Sequence, residues 1–220
     1  MNENEIATEV AKKAIEESVA VAKEFAGKLV NPALEEGGGL LQDTIKFWRF
    51  KNQINIVLKA KAFLEKKGID PQLVLPKTAV PLLEKGSLEN DETMQDRWAV
   101  MLANAASPGG QDGVKPSFPD VLANLSPQEV ALLDLLFDDI ISNPKRFEKT
   151  FDSSEMASLI HISVQEFEVI LGNLIRLGIC QPPASHGGIR IGEFPIVMGT
   201  LKGFCLTPFG YAFIQACKVG

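Results

Sequence analysis

Histidine, cysteine and tyrosine are scarce in this chain, with two, three and one among 220 residues. Two histidines, His161 and His186, serve the whole chain, and no Ser-His-Asp, Cys-His or nucleophile-elbow pattern accompanies them. The three cysteines, Cys180, Cys205 and Cys217, all fall in the last 41 residues. An odd number without regular spacing excludes a disulfide framework and fits a reducing, cytoplasmic setting. Long apolar runs are missing too. Without a stretch of about 18 apolar residues, an ordinary transmembrane helix is excluded. Residues Met1 to Glu9 carry Glu3, Glu5 and Glu9 and no apolar core, so no signal peptide is expected. Finally, there is no basic excess. The chain has 22 basic and 28 acidic residues, a net charge of −6, and a cut at Phe118 leaves 15 and 17 on one side and 7 and 11 on the other. Both parts are acidic, which argues against a general nucleic-acid binder.

What the chain does contain is helical periodicity over a hydrophobic content of 45%. Its most informative stretch runs from Ala79 to Ala106. Met94, Trp98, Met101, Leu102 and Ala105 lie on one helical face there. Asn90 or Ser87 can cap the helix, Asp91 and Glu92 suit its positive end, and Ser107-Pro108-Gly109-Gly110 stops it. Trp98 should be nearly fully buried, with its indole nitrogen seeking an acceptor. Glu84, Glu89, Asp91, Glu92 and Asp96 are also candidates for an acidic catalytic or metal site, but carboxylates at a helix start already have a structural reason.

Upstream, Ile6, Val10, Ala14, Val21, Phe25 and Leu29 predict a helix from about Glu5 to Val30, ended by Asn31-Pro32. Gly37-Gly38-Gly39 is a flexible joint. As a phosphate loop it lacks the Gly-Lys-Ser/Thr ending, and Glu35-Glu36 would repel phosphate. A second helix is expected from about Leu40 to Lys67, with Phe47, Phe50, Ile54, Val57 and Leu58 as its stripe and Gly68 as its stop. Seven basic residues and one acidic residue lie between Lys46 and Lys67. They scatter around the helical wheel, which describes a solvated face rather than a nucleic-acid track. Phe47, Trp48, Arg49 and Lys51 form a candidate interaction surface, and with Leu40 to Phe50 an amphipathic segment for anionic lipid. A short helix is expected around Pro81 to Lys85, and Ser107 to Ser117 reads as a loop.

The run PLLEKGSLENDETMQDRWAVMLANAASP resembles the central signature of the abortive-infection alpha (Abi-alpha) family of bacteria. The upstream NPALEEGGGLLQDTIKFWRFKNQINIVLKAKAFLEKKGI and the downstream SFPDVLANLSPQEVALLDLL resemble the blocks that flank it. The similarity covers roughly Asn31 to Leu136. It implies a role in bacterial phage defence and carries no catalytic residues.

Farther on, Ser126-Pro127-Gln128-Glu129 opens a helix with a capping box and an inward stripe of Val130, Leu133, Phe137, Ile140 and Ile141, ended by Asn143-Pro144. Asp152 to Ile160 reads as a short helix and His161-Ile162 as a tight turn, with a structural hydrogen bond expected of His161. Ser163 and Glu166 open the next helix, which turns Phe167, Ile170, Leu171, Leu174 and Leu177 inward and closes at Gly178. Strand is expected at Ile189, Ile191 and from Phe194 to Met198, returning through Phe204-Cys205-Leu206. Thr207-Pro208 caps a last helix with Phe209, Ala212, Phe213, Ala216 and Cys217 on one face.

Helix, turn, helix, two strands and a closing helix resemble the winged-helix superfamily, the last part through Leu-Thr-Pro-Phe-Gly. In such a domain the helix from Ser163 would be the DNA reader, yet it carries Glu166 and Glu168. Gln165, Arg176 and, on the wing, His186 and Arg190 are the candidate nucleic-acid contacts. Cys180, His186 and Cys205 could meet around a metal, but their spacing matches no zinc pattern.

The expected fold is mainly α. A helical domain, residues 1–118, precedes a winged-helix domain, residues 119–220, with a small β-wing. The expected protein is a non-enzyme without cofactor or metal. It acts in phage defence through an unidentified protein partner. A winged-helix DNA-binding regulator is the alternative, and a membrane-active effector the third reading.

Overall fold

The computed structural model describes residues 3–29, 44–141, 149–183 and 202–219. They are mainly helical with a small three-stranded antiparallel sheet, the fold class that the sequence predicts. The chain divides into two compact units, residues 1–124 with 216–220, and residues 125–215.

In the first unit the elements are α1 (Glu3–Leu29), α2 (Thr44–Lys67), α3 (Pro76–Gly86), α4 (Glu92–Ala105), α5 (Gly110–Gly113) and α6 (Phe118–Leu122). The core is built around α4. Met94, Trp98, Met101, Leu102 and Ala105 are all buried, as their spacing requires, but so are Val100, Ala103 and the polar Gln95 and Arg97. The predicted stripe is too narrow because α2, α3 and α5 all pack on this helix. A helix enclosed on several sides buries more than one face. Trp98 is 1% exposed, yet its indole nitrogen has no protein acceptor, contrary to expectation.

Packing against both α1 and α4 also rotates the buried face of α2. Ile56, Val57, Ala60 and Leu64 are buried, whereas Phe50, Ile54 and Leu58 are only half-buried. On α1, Ala22 and Phe25 are buried and Val21 is exposed. Gly68 stops α2 in the left-handed region, at φ 64°. Helix α3 starts at Pro76 and continues through Pro81, so the expected short helix around Pro81 is longer at its front. An interior proline removes one helical hydrogen bond and ordinarily breaks the pattern, which is why the sequence reads as interrupted there. The segment read as a loop holds α5, and α6 follows it unannounced. Both are too short to show a helical period.

The second unit holds α7 (Pro127–Ile141), β1 (Phe151–Asp152), α8 (Ser153–Leu159), α9 (Val164–Arg176), β2 (Cys180–Gln181), β3 (Gly203–Leu206) and α10 (Pro208–Cys217) as far as Gln215. Ser126 and Glu129 form the predicted capping box on α7, with Ser126 N donating to Glu129 Oε2 at 2.6 Å and Glu129 N donating to Ser126 Oγ at 3.2 Å. Ser163 and Glu166 do the same for α9, and Asp152 caps α8. The sheet order is β1-β3-β2, with Phe151 opposite Phe204 and Cys180 opposite Leu206. Strand β1 is absent from the sequence reading because two residues carry no alternation.

Phe204 anchors this unit, its ring 5.6 Å from Phe151 and 5.8 Å from Phe167. The Thr-Pro-Phe-Gly turn docks α10 on the chain entering β2. Thr207 Oγ1 accepts from Gly210 N at 2.9 Å and lies 2.7 Å and 3.0 Å from the Gly178 and Ile179 carbonyls, toward which it donates. A Cβ at Gly210 would stand 2.3 Å from the Ile179 carbonyl oxygen, so only glycine fits. Ile141 and Phe209, expected inward, are 48% and 37% exposed. Both sit at a helix end. The expected stops at Asn31-Pro32 and Asn143-Pro144, the Gly37–Gly39 joint and the expected strand from Ile189 to Met198 lie outside the described residues.

Trp98→Ala should cost about 3–5 kcal/mol, the range for a large aromatic removed from a core, and lower the thermal transition accordingly. Trp98→Phe should cost clearly less, since the indole N–H surrenders no protein hydrogen bond. Equal losses in the two variants would contradict the core geometry. Gly210→Ala should destabilise the second unit by about 1–3 kcal/mol, read by chemical denaturation, because the new methyl meets backbone rather than a movable side chain.

Candidate functional site

Two places in the chain concentrate polar chemistry, the turn between α3 and α4 and the solvent face of α9. At the first, α2 grips the backbone of residues 83–90. Asn52, 4% exposed, donates through Nδ2 to the carbonyls of Ser87 at 3.1 Å and Glu89 at 2.7 Å. Gln95 Nε2 donates to Asn52 Oδ1 at 3.3 Å and to the Glu89 carbonyl at 2.9 Å. Arg49 Nε donates to Ser87 Oγ at 2.9 Å, Gln53 Nε2 to the Leu83 carbonyl at 3.3 Å, and Trp48 Nε1 to Asn90 Oδ1 at 2.7 Å.

Three members of the acidic cluster are engaged around this turn. Glu89 Oε1 accepts from the backbone of Asn90 and Asp91, each at 2.9 Å. Asp91, and neither Asn90 nor Ser87, is the cap of α4, accepting from Met94 N at 2.9 Å. Asp96 pairs with Lys59 at 2.6 Å. Ser87 instead ends α3 as its C-cap residue, its hydroxyl donating to the Glu84 carbonyl at 2.5 Å. Of the candidate interaction surface, Trp48 and Arg49 are half-buried and turned into this turn, Lys51 is exposed, and the side chain of Phe47 lies outside the described residues. Asn52, Gln53 and Gln95 escaped the sequence reading. Polar residues on a helix carry no period that marks them as inward.

On α9, Phe167, Leu171 and Leu174 are buried, and the opposite face is open. Gln165 lies exposed at its start and Arg176 exposed at its end, eleven residues apart and so about 16 Å along the axis. Arg176 is held by Asn173, whose Oδ1 accepts from Nε at 3.2 Å and Nη2 at 2.7 Å. Glu166 is exposed, and its carboxyl is held below the ordinary glutamate range by the Ser163 hydroxyl and then by the Ser163 amide. His161 takes a left-handed backbone at φ 59° with an exposed side chain, so the turn uses its backbone, the amide donating to the Ser158 carbonyl at 3.2 Å. His186 and Arg190 lie outside the described residues.

Cys180 and Cys205 are buried. Cys180 stands opposite Leu206, and Cys205 opposite Gln181, so the two side chains leave the sheet on opposite faces. Burial, and secondarily the neighbouring Cys205, push the Cys180 thiol well above its ordinary pKa. Among the described residues no group of three His, Cys, Asp or Glu is placed to hold a metal. A cavity of about 520 Å³ lies where α1 meets α2, floored by Phe25, Leu64, Ile69 and Pro71. Its rim lysines, Lys28 and Lys61, are paired with Glu24 and Glu65.

The family model described as abortive infection alpha matches residues 51–217. The chain belongs to the abortive infection alpha family. The Abi-alpha match takes in most of both units and runs well beyond the C-terminal end of the Asn31–Leu136 similarity, through α8, α9 and the sheet. It begins after the Gly-Gly-Leu-Leu and Trp-Arg-Phe pieces. The central Abi-alpha signature, from Pro81 to Pro108, is largely spent on the α3–α4 turn and the buried α4. Searches of the curated proteins and of the solved structures find no match to the chain. Among the described residues no helix is long and apolar enough to cross a membrane.

Asn52→Ala should cost about 1–3 kcal/mol, because two buried carbonyls and Gln95 lose their partner, whereas Lys51→Ala should change the melting temperature little. The carboxyl of Glu166 should titrate below the usual glutamate range by NMR. Its folded pKa is depressed, so its contribution is present above the unfolded value and is lost as pH falls through the folded one. A Glu166→Gln variant should show a shallower acid limb in the melting profile. The cysteines should resist thiol reagents until the chain is unfolded, since all three are buried.

Proposed function

We propose that this Abi-alpha protein is a non-enzymatic, cytoplasmic component of bacterial phage defence that acts by binding protein. One observation carries the reading. In the second unit α9 follows α8 through a tight turn, the place of a reading helix. Its open face offers Val169, 75% exposed, with Glu166 and Glu168 beside it. A DNA reader needs basic or amide groups at that helix's start, and only Gln165 qualifies. The remaining reactive groups support the same reading. Glu89, Asp91 and Asp96 of the acidic cluster are occupied with backbone amides and an ion pair, and the thiols are buried.

A winged-helix identity for the second unit draws support from its element order and from the sheet order β1-β3-β2. That observation favours one further reading, a winged-helix transcription regulator in which Gln165, Arg176 and the wing residues His186 and Arg190 touch DNA. A membrane-active role for residues 40–50 has less support, because Trp48 and Arg49 spend their donors on Asn90 and Ser87.

Expression in a susceptible host should lower phage plating for at least one member of a broad panel, and pull-down from infected cells should recover a protein partner. Unchanged plating across the panel would count against a defence role. A salt-dependent gel shift on the gene's own promoter region would transfer the case to the regulator.

A further inference from the structure

We infer that the solvent face of α9 is a self-association surface on which a second copy of this chain packs antiparallel. Opposite the buried Phe167, Leu171 and Leu174, the helix carries Gln165, Val169, Gly172 and Arg176. Steps of four, three and four make these a single stripe. Two of its members serve no purpose within their own unit. Val169 is 75% exposed, more than any other large hydrophobic among the described residues. Gly172 sits inside a helix, where glycine is a poor former, yet a Cβ there would meet nothing within 4 Å. No neighbour among the described residues requires glycine. A glycine with open space above it, one turn from an exposed valine, permits another backbone to come close.

The stripe is complementary to itself. A two-fold axis crossing the helix midway between Ile170 and Leu171 sets Val169 over Gly172 of the second copy, a knob above a gap. The same axis sets Gln165, with Glu168 one turn away, beside Arg176 of the second copy. Asn173 holds Arg176 through Nε and Nη2, which leaves Nη1 for an acceptor across the axis. Acidic residues near one end of α9 and a cation at the other favour the antiparallel over the parallel pairing, and opposed helix dipoles add to this. A single helix face buries less than the roughly 1,200 Å² of a standard interface, so the association is weak and concentration-dependent. The inference rests on the reading of this face as a protein-binding surface and names a second copy as its occupant. It is tested on the purified chain without phage or host, so its failure is distinct from a failure of the defence role.

Sedimentation velocity of the full chain over a range from micromolar to near-millimolar should show monomer passing into dimer. Val169→Glu, which places two carboxylates at the axis, should weaken the dimer by about tenfold or more. Gly172→Ala should weaken it too while raising the melting temperature of the monomer, because alanine is the better helix former. A purely structural glycine would move the two readouts together. Arg176→Glu should weaken the dimer, and Glu168→Arg added to it should restore association. A monomer at every concentration would overturn the inference, as would a dimer indifferent to both Val169→Glu and Gly172→Ala.

Discussion

A buried asparagine organises the first unit. Asn52 has no route to solvent, so its amide must be satisfied by protein atoms, and it finds the carbonyls of Ser87 and Glu89. Those carbonyls belong to the turn that launches α4. Fixing them fixes the position of Asp91, which caps α4, and the angle at which Trp98 enters the core. Gln95 closes the loop by bonding both Asn52 and the Glu89 carbonyl. Each member of this network is costly to leave alone and inexpensive to keep together, which makes the turn specific as well as stable.

The second unit rests on a different device. Its elements are short, and none would hold alone. What joins them is local capping at α7, α8, α9 and α10 together with the ring contacts of Phe204. Capping leaves each helix with a defined start, and the turn at Thr207 ties the start of α10 to the strand edge. The result is a support beneath α9, whose open face carries Val169, the most exposed large hydrophobic among the described residues. That face presents Val169 and Gly172 among charged residues.

The signature that carries the family resemblance and the surface that carries the functional reading are thus separate. Residues from Pro81 to Pro108 mostly build the core and its turn. Trp48 and Arg49, attractive as exposed aromatic and cationic groups, serve the same turn. Three of the carboxylates between Glu84 and Asp96, those of Glu89, Asp91 and Asp96, have structural employment as well. A sequence-level cluster of charge is ambiguous because helix starts and active sites both collect carboxylates.

The sequence by itself determined the elements whose signals are local. Capping boxes at Ser126 and Ser163, the stops at Gly68 and Gly178, the amphipathic α9 and the buried Trp98 all follow from spacing within one or two turns. Their physics involves near neighbours in the chain, so the residues announce it. The tertiary structure decided what depends on distant segments. It turned α2 so that Ile56, Ala60 and Leu64 face inward, enclosed α4 on several sides, made a strand of Phe151–Asp152 by pairing it with Phe204 and Gly203, and chose Asp91 over Asn90 and Ser87 as a cap. Asn52 and Gln95 are the clearest case. A polar side chain earns burial only when carbonyls from elsewhere in the chain arrive to meet it, and no spacing along the helix records that arrival.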